Sequence, residues 1–460
     1  MFKKVLLATL LTAGLLGSSL VAPATAASVK LTTAVSIAKY AAVGTKLTAK
    51  DAKFSTKPSK ITWQWYFNAK AIKKATSKTF TITKAEKGGS VKVVETAYFG
   101  KTKKTSTSNV IEVGKLWISG TASLAFGGDN KTLTVTVPQV LPKPAATEFG
   151  WLRNNFDILS DGLATRTVSV ADAGATLAAK VTFKAPKGYD SATLLTNDVD
   201  VASQTRVYKT VWSDEFNGAS GLAPNTSFWS PENGDGMAFG NRGWGNNERQ
   251  WYRLENSSQS GSGALDILAT REGASSTKCY YGDCEWYSSK IVTKGKVEFK
   301  YGRLEARIKG APGNGTWGAF WTLGANIDTK LWPWCGEIDV TELVGRMPTS
   351  VLGYSHGPVS YGAGRGSTKE LGSDWSDGYH TYAVDWLPDQ ISWYVDGELY
   401  GVVDKTDRDW AFDNRHYVIL NLAMGGNLGG EIDPGMDSAT MKVDYVRFST
   451  INGVGEVFRG

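Results

Sequence analysis

Alternation of apolar and polar residues recurs along almost the whole chain, and no long amphipathic helix interrupts it. Lys296-Val297-Glu298-Phe299-Lys300-Tyr301, Ile391-Ser392-Trp393-Tyr394-Val395 and Lys442-Val443-Asp444-Tyr445-Val446 all follow this pattern. A period of two is that of a strand with one buried face. Asp396-Gly397 directly after Val395 is a hairpin signal, because a type I′ turn needs positive φ at its central residues. The chain is therefore expected to be all-β, built from antiparallel sheets packed face to face. At 460 residues it has material for two or three cores.

The first half contains an internal repeat. Residues 65–72 (WYFNAKAI) align with residues 151–158 (WLRNNFDI) at an offset of 86, and the same offset pairs residues 83–88 with 169–174 without a gap. After a two-residue insertion Val113 pairs with Val201. Short alternating runs separated by polar turns argue for a small β-sandwich in each copy, with Trp65 and Trp151 in the cores. The expected organisation is a signal peptide at 1–26, repeats at 27–115 and 116–204, and a β-rich domain at 205–460. Lys3 and Lys4, the apolar run 5–16 and the ending Ala24-Thr25-Ala26 carry the signal-peptide expectation, and with it secretion. No later stretch approaches the ~20 apolar residues of a membrane span.

Charge is unevenly placed. The net charge is +7, yet residues 28–115 hold 18 lysines, no arginine and 4 acids, so the remainder is acidic overall. A nucleic-acid enzyme would carry its positive charge near its chemistry, so that class is excluded. The lysines suit a solvated surface or a tether to an anionic cell-wall polymer. Cys279 and Cys284 bracket a four-residue loop that a disulfide could close, and Cys335 is left as a buried apolar residue.

Chemistry concentrates in Glu337-Ile338-Asp339-Val340-Thr341-Glu342. Ile338 and Val340 mark a strand, so Glu337 and Asp339 share a face and Glu342 falls on the other. A β-bulge after Val340 would return Glu342 to their side. Three acids on one face repel one another, and glycosidic cleavage gives a reason to hold them there, since it needs a carboxylate nucleophile and a carboxylic acid together. Trp317, Trp321, Trp332 and Trp334 lie within 20 residues of Glu337. Trp317 and Trp332 are expected in the cleft and Trp321 in the core, with Trp334 open between the two.

The surrounding segments resemble the laminarinase-like branch of glycoside hydrolase family 16. They run in order from Val211-Trp212-Ser213-Asp214-Glu215-Phe216-Asn217-Gly218 through Gly243-Trp244-Gly245-Asn246-Asn247-Glu248 and Tyr301-Gly302-Arg303-Leu304-Glu305-Ala306-Arg307 to Leu420-Asn421-Leu422-Ala423-Met424-Gly425-Gly426-Asn427. The resemblance implies a jelly roll curved around a cleft, with Glu337 as nucleophile, Glu342 as proton donor and Asp339 between them. It implies sugar contacts from Asn246, Asn247 and Arg307, and makes His356 a candidate for the positive subsites. Glu215, the backbone of Gly263 and Asp444 resemble a structural calcium site. The spacing from Asp339 to Glu342 resembles the bulged subgroup of laminarinases rather than the shorter lichenase spacing. The two repeats look like tandem immunoglobulin-like modules of secreted bacterial proteins. One departure is Gly426-Asn427-Leu428-Gly429, where the family usually continues with tryptophan and proline.

The implied protein is a monomeric, secreted endo-β-1,3-glucanase without a catalytic cofactor. Other β-glucans, agar-type galactans, or a non-catalytic carbohydrate-binding role remain as alternatives. Gly353-Tyr354-Ser355-His356-Gly357 formally matches the elbow of serine esterases, but that motif needs a strand-to-helix turn and nothing helical follows.

Overall fold

In the computed structural model, residues 28–158, 160–405 and 409–460 are described. The expected signal peptide, residues 1–26, lies outside them. The strands that carry the acid motif and its neighbours are β1 (Lys290–Val292), β2 (Thr316–Gly324), β3 (Glu337–Val344), β4 (Ser350–His356), β5 (Arg365–Glu370) and β6 (His416–Met424). They lie side by side in the order β1-β6-β2-β3-β4-β5, each antiparallel to its neighbour. A second sheet includes Leu265–Thr270, Ser438–Ile451, Gly302–Lys309, His380–Leu387, Gln390–Val395 and Glu398–Asp404. Side chains from both sheets share one core: Phe320, Ile338, Val340 and Leu420 from the first, Leu304, Trp386, Trp393 and Phe448 from the second. Burying a side chain of this size stabilises the fold by about 1.5–3 kcal/mol. The all-β jelly-roll reading therefore holds.

Alternation fixes which residues reach the open face of the first sheet. Phe320 and Leu420 point into the core, so Trp317, Ala319 and Trp321 on β2 and Asn421 on β6 point away from it.

The chain divides into two compact units. One comprises residues up to 119 together with 139–145 and 184–192; the other comprises 120–138, 146–183 and 193–460. The expected boundary at 204/205 is thus not where the second unit begins.

The repeat is written into the hydrogen bonding. Strands Lys60–Phe67 and Ala146–Arg153 stand 86 residues apart, as do the turns Lys84–Glu86 and Val170–Asp172, each closed by a capping box. The Asn68 side chain accepts from the Ser90 amide as Asn154 does from Thr176, both at 2.9 Å. Trp65 and Trp151 are buried, and each indole donates to a carbonyl 12 residues on, at Ser77 and Leu163. Gly88 donates to the Val113 carbonyl as Gly174 does to Val201, which places the two-residue insertion between them.

At two equivalent positions an aromatic residue gives way to arginine. Phe67 and Phe80 of the first become Arg153 and Arg166 in the second. Arg153 is 2% exposed and pairs with Asp172 and Asp389 at 2.7 Å and with Asp404 at 2.5 Å. Arg166 pairs with Asp172 at 3.2 Å and Asp389 at 3.1 Å. Asp389 and Asp404 belong to the jelly roll, as do Leu387, Ile451 and Val454, which pack against Val170 and Ala171. Burial opposes ionisation of Asp172, but the two guanidinium groups and the Ser169 amide outweigh it and hold its carboxyl below the usual range.

Candidate active site

The register of β3 shifts at one point. Asp339 stands opposite Trp321 while Thr341 stands opposite Phe320, so Val340 is the extra residue. On the other edge, the pairing with β4 jumps between Asp339–Tyr354 and Glu342–Leu352. The expected bulge is present, and its consequence follows from the cross-strand partners. Glu342 lies beside Ala319 and Asp339 beside Trp321, both on the open face. Trp393 reaches through the core to donate to the Asp339 carbonyl at 2.8 Å, at the position where the ladder shifts.

Each acid has its own partner. Trp332 Nε1 donates to Glu337 Oε2 at 2.7 Å, and Trp317 Nε1 to Glu342 Oε1 at 3.1 Å. Asp339 is 3% exposed and its Oδ2 lies 3.1 Å from Nε2 of His356, the residue directly across from Glu337 on β4. His356 Nδ1 lies 2.6 Å from the Tyr361 carbonyl, which can only accept, so Nδ1 carries a proton. Gly364 makes room for the ring: it has φ +64°, and a Cβ there would lie 2.8 Å from the imidazole.

These contacts set the charges. Burial raises Glu337, and the negative charge of Asp339 raises it further, against the pull of His356 and Trp332. Burial pushes Glu342 up to about 7, with Glu337 adding to it. Asp339 is raised by burial despite its contact with His356. Burial works against a charged imidazole, but the Asp339 contact, the charge of Glu337 and the Tyr361 carbonyl lift His356 to about 10. His356 is therefore an imidazolium locked among the acids rather than a free sugar contact. Glu337, Asp339 and His356 present ligand atoms within 4.8 Å of one another, with the His356 ring already held by the Tyr361 carbonyl at Nδ1 and by Asp339 at Nε2.

Around this floor the structure assembles an aromatic wall. Trp332 is 38% and Trp334 51% exposed, and Tyr361 meets both edge-on, at 5.6 and 5.7 Å between ring centres. Trp334, left open by the sequence, lines the exposed side. Tyr361 was not anticipated, and nothing local in the sequence marks it. Trp321 was expected in the core. It faces away from the main core but packs, half-buried, against a second buried cluster of Val292, Tyr417 and Ile419, with its Nε1 on Asn421 at 2.7 Å.

Asn246 and Asn247 reach the Trp317 end of the sheet. The Asn246 carbonyl accepts from the Asn427 amide at 2.7 Å, and the Asn247 side chain donates to Asn427 Oδ1 at 2.9 Å. Gly429, two residues on, approaches Trp317. Arg307 is not brought to the acids. It sits between core-facing Ala306 and Ile308 on the opposite sheet, points outward and pairs with Asp444 at 2.6 Å. The alternation of its own strand carried that signal.

Asp444 is engaged by Arg307 and Glu215 by Arg447, at 2.8 Å, while Gly263 lies in the turn beside Asn217. Guanidinium groups hold both carboxylates, in pairs a third or more exposed. Cys279 and Cys284 form a disulfide, and Cys335 is a buried free thiol that burial pushes up to about 11. Ser355 is 2% exposed within β4, bonded to the Arg365 carbonyl, which removes the esterase elbow.

Residues 248–447 match glycosyl hydrolases family 16. A beta-glucanase of Rhodothermus marinus is 37% identical over 258 residues, which cover 52% of this chain and 84% of that protein. The chain belongs to glycosyl hydrolase family 16. Another relative, glucan endo-1,3-beta-glucosidase A1 of Niallia circulans, is 38% identical over 262 residues, 52% of this chain but only 37% of that longer protein. The catalytic domain of the Thermotoga petrophila endo-1,3-beta-glucanase (laminarinase) superposes with a TM-score of 0.51 at 36% identity, covering 54% of this chain and 99% of that one. The family match spans β3 and with it all three acids.

Proposed function

We propose that this family 16 protein hydrolyses β-1,3-glucan internally and with retention, Glu337 acting as nucleophile and Glu342 as acid and then base. The observation that carries the reading is the Val340 bulge, which sets Glu337, Asp339 and Glu342 on one face beside the Trp332, Trp334 and Tyr361 wall. Glu342, raised to about 7, holds a proton at mildly acidic pH and can pass it to the leaving oxygen. Burial and the Asp339 charge push Glu337 up to about 8, and the His356 charge and the Trp332 indole pull against that shift, toward the carboxylate a nucleophile needs. As Glu337 attacks the anomeric carbon, the glycosidic bond breaks and the departing oxygen takes the Glu342 proton. Water, deprotonated by Glu342, then releases the sugar. The identities of the relatives support β-1,3-glucan over agar-type galactans. Export through the N-terminal leader completes the reading.

Proton NMR of laminarin digestion should show the β-anomer forming first, and product analysis on laminarin, lichenan and agarose should rank laminarin first. Glu337→Ala should abolish turnover, and azide should restore it as an inverted glycosyl azide. Initial appearance of the α-anomer would overturn the mechanism, and faster release from agarose the substrate class.

A further inference from the structure

The first repeat has no part in the chemistry above, yet its surface is unlike the rest of the chain. Of its 4 acids, Glu86 is buried and accepts from Thr83, Glu95 is fully buried and accepts from the Ala52 amide, and Asp51 pairs with Lys78. Only Glu112 is left fully exposed against 18 lysines. The field of this module is therefore positive and nearly uncompensated.

One face of its main sheet organises that charge. Strands Lys60–Phe67, Ser90–Phe99 and Thr102–Thr107 run antiparallel, with Val91, Val93 and Trp65 turned into the core. Their register places Lys60, Tyr98 and Lys103 in one row across the outer face, with both ammonium groups within 6 Å of the tyrosine ring, at 5.7 and 5.3 Å. The next row is Thr62, Thr96 and Thr105, three hydroxyls side by side. At the far end Tyr66 stands beside Lys92, whose ammonium group lies 5.9 Å from that ring. From Lys92 to Tyr98 the face runs about 20 Å at the usual rise per residue, the length of an oligomer rather than a single sugar.

Lysine on an outermost strand is a common guard against edge pairing, which accounts for Lys103 and Lys104. It does not account for Lys92, on a strand with neighbours on both sides, nor for Tyr98 held between two ammonium groups and Tyr66 beside a third. We propose that this face binds an anionic polysaccharide: Lys60, Lys92 and Lys103 meet its acid groups, and Tyr66 and Tyr98 stack on its sugar rings. The threonine row supplies hydroxyl partners between them. The module's lack of arginine argues against nucleic acid, whose phosphates favour a bidentate fork.

The test uses the full chain with Glu337→Gln added to prevent cleavage, and affinity electrophoresis against polygalacturonate, laminarin and duplex DNA. Lys60→Glu, Lys92→Glu and Lys103→Glu together should weaken polygalacturonate binding at least about tenfold. Lys46→Glu, Lys50→Glu and Lys53→Glu, an equal charge change outside the three strands of this face, should weaken it less than about threefold. Tyr98→Ala should weaken polygalacturonate binding as well, and salt should abolish it in the parent protein. Calorimetric unfolding of both triple variants should match the parent, which confirms folding of the substituted module. Equal loss from both triples, no binding to polygalacturonate, or DNA bound as tightly as polygalacturonate would overturn the proposal.

Discussion

Three carboxylates and one imidazole lie together on the cleft floor, and the proton count among them follows from who faces whom. His356 contacts Asp339 and stands across from Glu337, so its positive charge offsets part of the cost of burying either anion. Glu342 has an indole N–H but no cation in contact, and burial leaves it protonated below about pH 7. Activity as an acid catalyst should therefore fall as pH rises through about 7, read as the basic limb of kcat/KM against pH. Glu342→Gln should remove that limb and cost about 10²–10⁴ in rate on laminarin, while sparing aryl glycosides with good leaving groups. His356→Gln removes the cation that favours ionised Glu337, so the acidic limb should move to higher pH. An unmoved acidic limb would show that His356 only packs. The three acids were legible in the sequence. The histidine's task was not, because it depends on the neighbour 17 residues earlier on the paired strand.

At the scale of elements, the bulge in β3 is the feature on which the site depends. It was readable because Ile338 and Val340 fix the buried face, and one surplus residue then stands between Asp339 and Glu342. Deleting Val340 leaves the three acids on one face by plain alternation. The deletion should keep measurable laminarin hydrolysis despite lost packing. The aromatic wall was only half legible. Trp332 and Trp334 lie near the acids in sequence, but Tyr361 joins them through a loop whose course is set by Asp409, which accepts from the Val359 and Ser360 amides at 2.7 and 2.8 Å.

For the whole molecule, the second repeat is joined to the jelly roll by charge as well as by chain. Arg153→Ala leaves Asp172 buried with reduced compensation, and breaking such a network costs about 3–5 kcal/mol. The variant should melt at a lower temperature than the parent by calorimetry. Because the Asp172 carboxyl is held below its ordinary 3.8, the network's contribution is present above that pH and lost as pH falls through the lowered value. A protein beginning at Thr205 loses Arg153, Arg166 and Asp172 and uncovers Leu387 and Ile451. It should retain the acid site yet unfold at lower temperature than the full chain. An unchanged melting temperature in both variants would show the contact to be energetically neutral.

Local pattern alone determined the strands, the repeat with its offset of 86, the buried Trp65 and Trp151 and the bulged acid strand, because each is a matter of residues a few positions apart. Tertiary structure alone decided what faces those residues from afar. It set His356 among the acids, sent Arg307 to the outer face to meet Asp444, and packed Trp321 against a second cluster away from the main core. It also made Arg153 and Arg166 a junction where the equivalent Phe67 and Phe80 pack against their own module's core. The physical reason is the same in each case. Periodicity fixes the face a side chain takes, while its charge and its role depend on partners that only the packing of sheets supplies.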